Sequence, residues 1–222
     1  MCGRYSEAVY KNGLMARFKC QDAEGDFSAR YNIAPMSQAL VVVNEESRIL
    51  KSMQWGLVPH WTREATIGNK MINARAETLT LKPSFRKSFE RKRCLVPADG
   101  FYEWQKVDGS KIKIPMRIVL KSREPFAFAG LWDTWQKPDG SELQSFTIIT
   151  TEPNELMRTI HNRMPVILHE TDEETWLDQD FTDTSKLSEL LTPYPTVEME
   201  SYEVSPMVNS PWNDSPACIR PV

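Results

Sequence analysis

The 222-residue chain is 41% hydrophobic, 10% aromatic and 26% charged, a composition that supports a large β-rich core and argues against intrinsic disorder. Its apolar runs, such as Ala39 to Val43, are far too short to cross a bilayer, and the N-terminus lacks a basic-then-apolar secretory pattern, so no membrane partner and a cytoplasmic location are expected. The net charge of -3 conceals an asymmetry: residues 51–123 carry 16 Lys and Arg against 6 Asp and Glu, whereas residues 124–222 carry 5 against 18. The middle of the chain could therefore present a basic face to phosphates, or its charges could interleave with acidic ones on the folded surface.

In chain order, Glu7 to Phe18 reads as a helix, Ala39 to Asn44 as a short buried strand, and Arg48 to Trp55 as its partner across the polar turn Asn44-Glu45-Glu46-Ser47. Met71 to Thr78 alternates Asn73 and Arg75 with small or apolar residues, as in a strand with one functional face. Ser84 to Arg93 reads as a helix with Phe85 and Phe89 to pack and Arg86, Lys87, Arg91, Lys92 and Arg93 to face solvent or phosphate. After a tight turn at Asp108-Gly109, Lys111 to Leu120 alternates, with Ile112, Ile114, Met116, Ile118 and Leu120 on one face. Phe126 to Trp135 and Leu143 to Thr150 read as a strand pair around Pro138-Asp139-Gly140, followed by short helices at Glu152 to Ile160, Asp172 to Leu177 and Ser185 to Leu191. No repeat or linker interrupts the chain, so a single domain over residues 1–222 is expected. The fold class is α+β, mostly antiparallel, with a curled, barrel-like β core and peripheral helices.

Chemistry concentrates first at Met1-Cys2-Gly3-Arg4. A small second residue permits removal of Met1, which exposes an α-amine (pKa roughly 8) and a thiol (pKa about 8.5) on one residue. Those two nucleophiles are spaced to close a five-membered thiazolidine on an aldehyde carbon. Gly3 leaves room for close approach, and Arg4 could hold a phosphate or lower the thiol pKa. The plainer alternative is that Cys2 is a small buried residue near a terminus. Glu103, inside Gly100-Phe101-Tyr102-Glu103-Trp104, has aromatic neighbours that would exclude water and raise its pKa toward that of a general acid or base. His161, one of three histidines, follows the end of a helix. Either could equally be a structural hydrogen-bonder. Cys2, Cys20, Cys94 and Cys218 lie far apart with no CxxC pair, so neither a metal site nor a disulfide framework is expected.

Seven segments together carry a resemblance to a known family. They are Met1-Cys2-Gly3-Arg4, Arg30-Tyr31-Asn32-Ile33-Ala34-Pro35, Trp55-Gly56-Leu57-Val58-Pro59, Asn73-Ala74-Arg75-Ala76-Glu77-Thr78, Arg93 to Trp104, Phe128-Ala129-Gly130-Leu131-Trp132, and His161-Asn162-Arg163-Met164-Pro165. In this order they resemble the SOS-response-associated peptidase family. The resemblance implies covalent capture of abasic sites in single-stranded DNA through the N-terminal cysteine, by a monomer that needs no cofactor and, in a bacterium, associates with the nucleoid. It places Cys2 as nucleophile and Asn73, Glu103 and His161 on active-site positions. It also places Arg4, Asn32, Pro35, Trp55, Arg75, Arg86 and Arg163 along the DNA channel, where arginines would hold phosphates and Trp55 and Pro35 would stack or wedge against bases. Trp55 as core filler is an equal alternative. Two other functions stay open: a thiol peptidase that removes its own Met1, separable only by a substrate test, and a non-covalent reader of modified DNA, which would not need Cys2.

Overall fold

The structure, a computed structural model, describes residues 2–24, 28–107 and 109–222. The first half contains β1 (Tyr5–Glu7), α1 (Lys11–Phe18), β2 (Asp22–Glu24), β3 (Arg30–Ile33), β4 (Gln38–Asn44), β5 (Arg48–Trp55), β6 (Asn73–Arg75), α2 (Pro83–Arg91), β7 (Arg93–Ala98) and β8 (Gly100–Lys106). The second half contains β9 (Lys113–Leu120), β10 (Phe126–Gln136), β11 (Glu142–Thr151), α3 (Glu155–Arg158), β12 (Met164–Pro165), β13 (Ile167–Leu168), α4 (Glu173–Leu177), α5 (Thr184–Glu189) and β14 (Met199–Glu203).

The larger sheet runs β11-β10-β7-β4-β5, and β5 returns to pair in parallel with β11 through Ser145↔Gln54 and Phe146↔Trp55. Those five strands therefore close a barrel, in agreement with the expected α+β class and curled core. A second, antiparallel sheet is ordered β14-β9-β8-β1-β3.

Period-2 alternation sorts the barrel residues into two apolar layers. Val41, Val43, Met53, Trp55, Val96, Phe128 and Phe146 pack with Tyr5, Phe101 and Ile118 of the second sheet. The intervening Leu40, Val42, Leu50, Leu95, Ala129 and Leu131 pack under the helices against Phe18, Phe85, Phe89 and Trp176. Covering both faces explains why Ala39 to Val43 is a continuous apolar run rather than an alternating one. Gly130 permits the β7–β10 contact: a Cβ there would sit 2.7 Å from Cys94 Sγ and 2.9 Å from Val96 Cγ2.

The hairpin β4–β5 and the strands β9, β10 and β11 lie where the sequence places them, although Asp108 of the Asp108-Gly109 turn lies outside the described residues. Five expectations change. Arg93, expected to face solvent or phosphate from a helix, is buried at the start of β7 and donates to the carbonyls of Trp176 and Phe89. Glu7 ends a strand wedged between β3 and β8, so the first helix starts only at Lys11. Ile112 precedes β9 and is exposed. Only Asn73–Arg75 of the Met71–Thr78 stretch is strand, because the chain tightens into a 3-10 turn at Ala76–Thr78. The helix expected from Glu152 shrinks to α3, whose N-cap Asn154 accepts from the Met157 N–H. No helix among the described residues is long and apolar enough to cross a membrane.

Candidate functional site

The residues before β1 continue antiparallel to β8: the Tyr102 N–H donates to the Arg4 carbonyl at 2.9 Å, which lays Cys2 alongside the Glu103–Trp104 end of that strand. From the other side, Asn73 Nδ2 donates to the Cys2 carbonyl at 2.8 Å. Asn73 reaches it because β6 pairs in parallel with β11, with Asn73 opposite Ile148, and because Trp55 Nε1 holds the adjacent Ile72 carbonyl at 2.9 Å. Asn73 Oδ1 is buried and has no hydrogen-bond partner among the described residues, so it is an acceptor without a donor at the nucleophile's edge.

The electrostatics of the cluster assign unequal roles. Cys2 is fully buried, and burial first, then the negative charge of Glu103, push its thiol pKa well above the ordinary range. The Arg4 guanidinium is turned to Asn32; only the Arg4 carbonyl approaches Sγ, at 4.0 Å, and this backbone contact opposes the rise without overcoming burial. Burial also lifts the Glu103 carboxyl from 4.5 to about 7, against the opposing pull of Lys113 and other positive charge. Lys113 also acts on His161, whose pKa falls chiefly through burial. His161 Nδ1 lies 3.1 Å from the Arg163 N–H; with Nδ1 as acceptor, the proton of the neutral ring sits on Nε2. Gln105 Nε2, bonded to the Thr159 carbonyl at 3.1 Å, ties the end of β8 to the turn that carries His161.

Beside Asn73 opens a groove of about 670 Å³ lined in part by Lys70, Ile72, Asn73, Arg75, Lys82 and Phe85. Lys70, Arg75, Lys82, Arg86, Lys87 and Arg91 are all exposed, and none makes a salt bridge among the described residues. In contrast, Arg17, Lys51, Arg117 and Arg123 are ion-paired. Part of the positive charge of the middle segment is thus gathered on the surface around α2 without salt bridges among the described residues, while Lys51, Lys92, Arg117 and Arg123 of the same segment are paired with carboxylates.

Among the described residues Arg4 also lacks a carboxylate partner, and its buried Nε has no hydrogen-bond partner. Its Nη1 donates to Asn32 Oδ1 at 2.8 Å and to the Val208 carbonyl at 2.7 Å, and the guanidinium lies 5.8 Å from the Trp104 ring centroid.

Three residues expected along the channel are placed otherwise. Trp55 is fully buried between Tyr5 and Phe146 and offers no face to a base. Asn32 is 1% exposed and spends its amide on Arg4 and on the carbonyls of Val208, Ser210 and Asn213. Arg163 is held bidentately by Glu77 and donates to the Thr150 carbonyl. Pro35 is half-buried in a turn whose next residue, Met36, donates its N–H to the Trp55 carbonyl at 2.8 Å. The groove also takes in Lys70 and Lys82, two cations of the basic stretch that no motif in the sequence singles out. No group of three or more His, Cys, Asp or Glu among the described residues is arranged to hold a metal.

Comparison with known proteins fits this geometry. Residues 1–211 match the family model described as SOS response associated peptidase (SRAP). The chain is 50% identical to abasic site processing protein YoqW of Bacillus subtilis over 99% of both chains. It is 33% identical to abasic site processing protein HMCES of Gallus gallus, over 90% of this chain and 68% of that one. A crystal structure of a Bacteroides thetaiotaomicron protein superposes with a TM-score of 0.87 at 28% identity over the whole of both chains. With the family model spanning nearly its full length, the chain belongs to the SOS response associated peptidase family.

Proposed function

We propose that this protein processes abasic sites in single-stranded DNA by closing a thiazolidine ring on the lesion aldehyde through the amine and thiol of Cys2, exposed by removal of Met1. The observation that carries this reading is the grip on Cys2, beside a carboxyl of pKa about 7, by Asn73, which itself lines a groove rimmed by cations without salt bridges among the described residues. Relatives named for abasic site processing support it.

The raised thiol pKa sets the order of events. The α-amine attacks the aldehyde of the ring-opened sugar first, and water leaves as the protonated imine forms. The thiol then adds to the imine carbon: a C–S bond forms, the C=N electron pair returns to nitrogen, and the thiol proton passes to the Glu103 carboxylate. A carboxylate that is part-ionised near neutral pH is suited to that transfer. Asn73 Oδ1, the unused acceptor, is placed to take a sugar hydroxyl, while neutral His161 handles protons during imine formation and its reversal. Phosphates lie along Arg4, Arg75 and Arg86. No step consumes a cofactor or changes oxidation state.

Intact mass of the purified protein, alone and after incubation with a uracil-containing single strand converted to abasic sites, tests the reading. The expected species is the chain without Met1 plus the strand minus one water. A cleaved protein or peptide without any DNA adduct would favour the peptidase reading instead.

A further inference from the structure

The C-terminal segment after β14 is built onto the same strands that present Cys2. Asp214 pairs with Arg30 and accepts from the N–H groups of Tyr31 and Asn32, the latter at 3.0 Å. Asn32 Nδ2 donates to the carbonyls of Ser210 at 3.0 Å and Asn213 at 2.7 Å, and Asn213 Nδ2 donates to the Met207 carbonyl at 2.7 Å. Both ends of the turn Ser210–Asn213 are thus fixed. Between them stands Trp212, 92% exposed, more than any other large hydrophobic residue described.

A tryptophan on a mobile tail needs no explanation. One held outward on a turn pinned by buried polar bonds exposes a large apolar face to water at a cost that burial or a partner would remove. The same Asn32 that fixes this turn accepts from Arg4, a guanidinium with no carboxylate partner among the described residues. Asn73 therefore grips the Cys2 end of the N-terminal segment, and the Val208 carbonyl, just before the turn, holds its Arg4 end. An aromatic face on a turn bonded to the same Asn32 as the Arg4 guanidinium supplies the two kinds of contact that a single strand engages, base on ring and phosphate on guanidinium. Trp212 also lies just beyond the residues 1–211 that the family model spans.

We propose that Trp212 is a base-stacking platform for a nucleotide flanking the lesion, with Arg4 taking the adjoining phosphate. The inference rests on the proposed function for the word lesion, but its core is a contact with any unpaired base.

The test is fluorescence anisotropy of an unmodified, labelled single strand with the wild type, Trp212→Ala and Trp212→Phe, each titrated at several salt concentrations. Trp212→Ala should weaken binding by roughly tenfold, Trp212→Phe should restore most of it, and the salt slope should stay unchanged, because a stacking contact and no phosphate contact is lost. Adduct formation on an abasic strand is measured in parallel. Trp212-dependent binding without a wild-type adduct would overturn the proposed function and leave this inference standing. Wild-type affinity in Trp212→Ala, a loss that Phe does not recover, or no binding of the unmodified strand by the wild type would overturn the inference.

Discussion

Asn73 and Cys2 are joined by a single hydrogen bond, side-chain amide to backbone carbonyl at 2.8 Å, across 71 positions of sequence. The bond fixes the residue whose amine and thiol are to react, while the amide oxygen stays unused. Asn73→Ala should therefore lower the rate of adduct formation at saturating DNA by about tenfold, the effect of about 1.4 kcal/mol lost from a positioned reactant, with little change in affinity for unmodified strand. Single-turnover rates on an abasic strand read the first quantity and anisotropy the second. A loss confined to affinity would show that Asn73 holds DNA rather than the nucleophile.

Glu103 gives two pH-dependent expectations. As the acceptor of the thiol proton, it should make the adduct rate rise with pH and level off above about 7, and Glu103→Gln should flatten that rise. For stability, the folded-state pKa is raised above the ordinary value, from 4.5 to about 7, so the stabilising contribution of the neutral carboxyl is complete below the lower value and is lost as pH rises through the upper one. Glu103→Gln should thus gain stability relative to wild type across that window, approaching about 3 kcal/mol above it. Urea melts at pH 5 and pH 8 measure the difference; an equal gap at both values would place the ionisation elsewhere.

What the sequence made legible was local. The β4–β5 hairpin announced itself through a polar turn between two apolar runs, and β10 and β11 through alternation around Pro138-Asp139-Gly140. The strands β7 and β8 escaped notice because Arg93–Ala98 is buried on both faces, follows α2 almost directly and meets β8 at a corner of one residue, leaving neither alternation nor a turn to read. The burial of Asn32 and Trp55 was hidden for a related reason. The carbonyls that occupy Asn32 lie 176 to 181 positions away in a segment with no local signal, and the burial of Trp55 follows from barrel closure between β5 and β11. The raised pKa of Glu103 was readable from its aromatic neighbours; the grip of Asn73 on Cys2 was not.

The altered placement of Trp55 separates it experimentally from the cations. Arg75→Gln and Arg86→Gln should each reduce the slope of log affinity against log salt by roughly one, with no change in stability. Trp55→Phe removes the bond to the Ile72 carbonyl and part of a buried ring, so it should cost about 1–3 kcal/mol of stability while leaving the salt slope untouched. Salt titrations and thermal melts on the same three variants decide the matter, and a normal melting temperature for Trp55→Phe would contradict its place in the core.

His161 has its pKa lowered chiefly by burial and turns one ring nitrogen to the Arg163 N–H. A neutral imidazole at neutral pH can deliver and recover protons as the ring reopens. His161→Ala should form adduct but release it several-fold more slowly, as followed by transfer to an excess of competing abasic strand. Release at the wild-type rate would make this histidine structural.

Ring closure requires a free α-amine and a thiol on the same residue, and it is this joint requirement that separates the proposed chemistry from that of an ordinary cysteine nucleophile. Protein lacking Met1 should give a DNA adduct that survives denaturing gels without borohydride, since the thiazolidine adds a second bond to a carbon that an imine alone would surrender to water. Cys2→Ala keeps the amine and loses the thiol, so its adduct should appear only after borohydride trapping. Residues added before Cys2 keep the thiol and lose the amine, so the stable adduct should vanish there and borohydride should not restore a bond at Cys2. The buried thiol makes this last variant the most informative: with its pKa pushed up by burial and by Glu103, sulfur has little nucleophilicity of its own and depends on the imine for a partner. An adduct of unchanged stability from the extended N-terminus would show that sulfur attacks unaided, and the ring would have to be abandoned for a simple thiol mechanism.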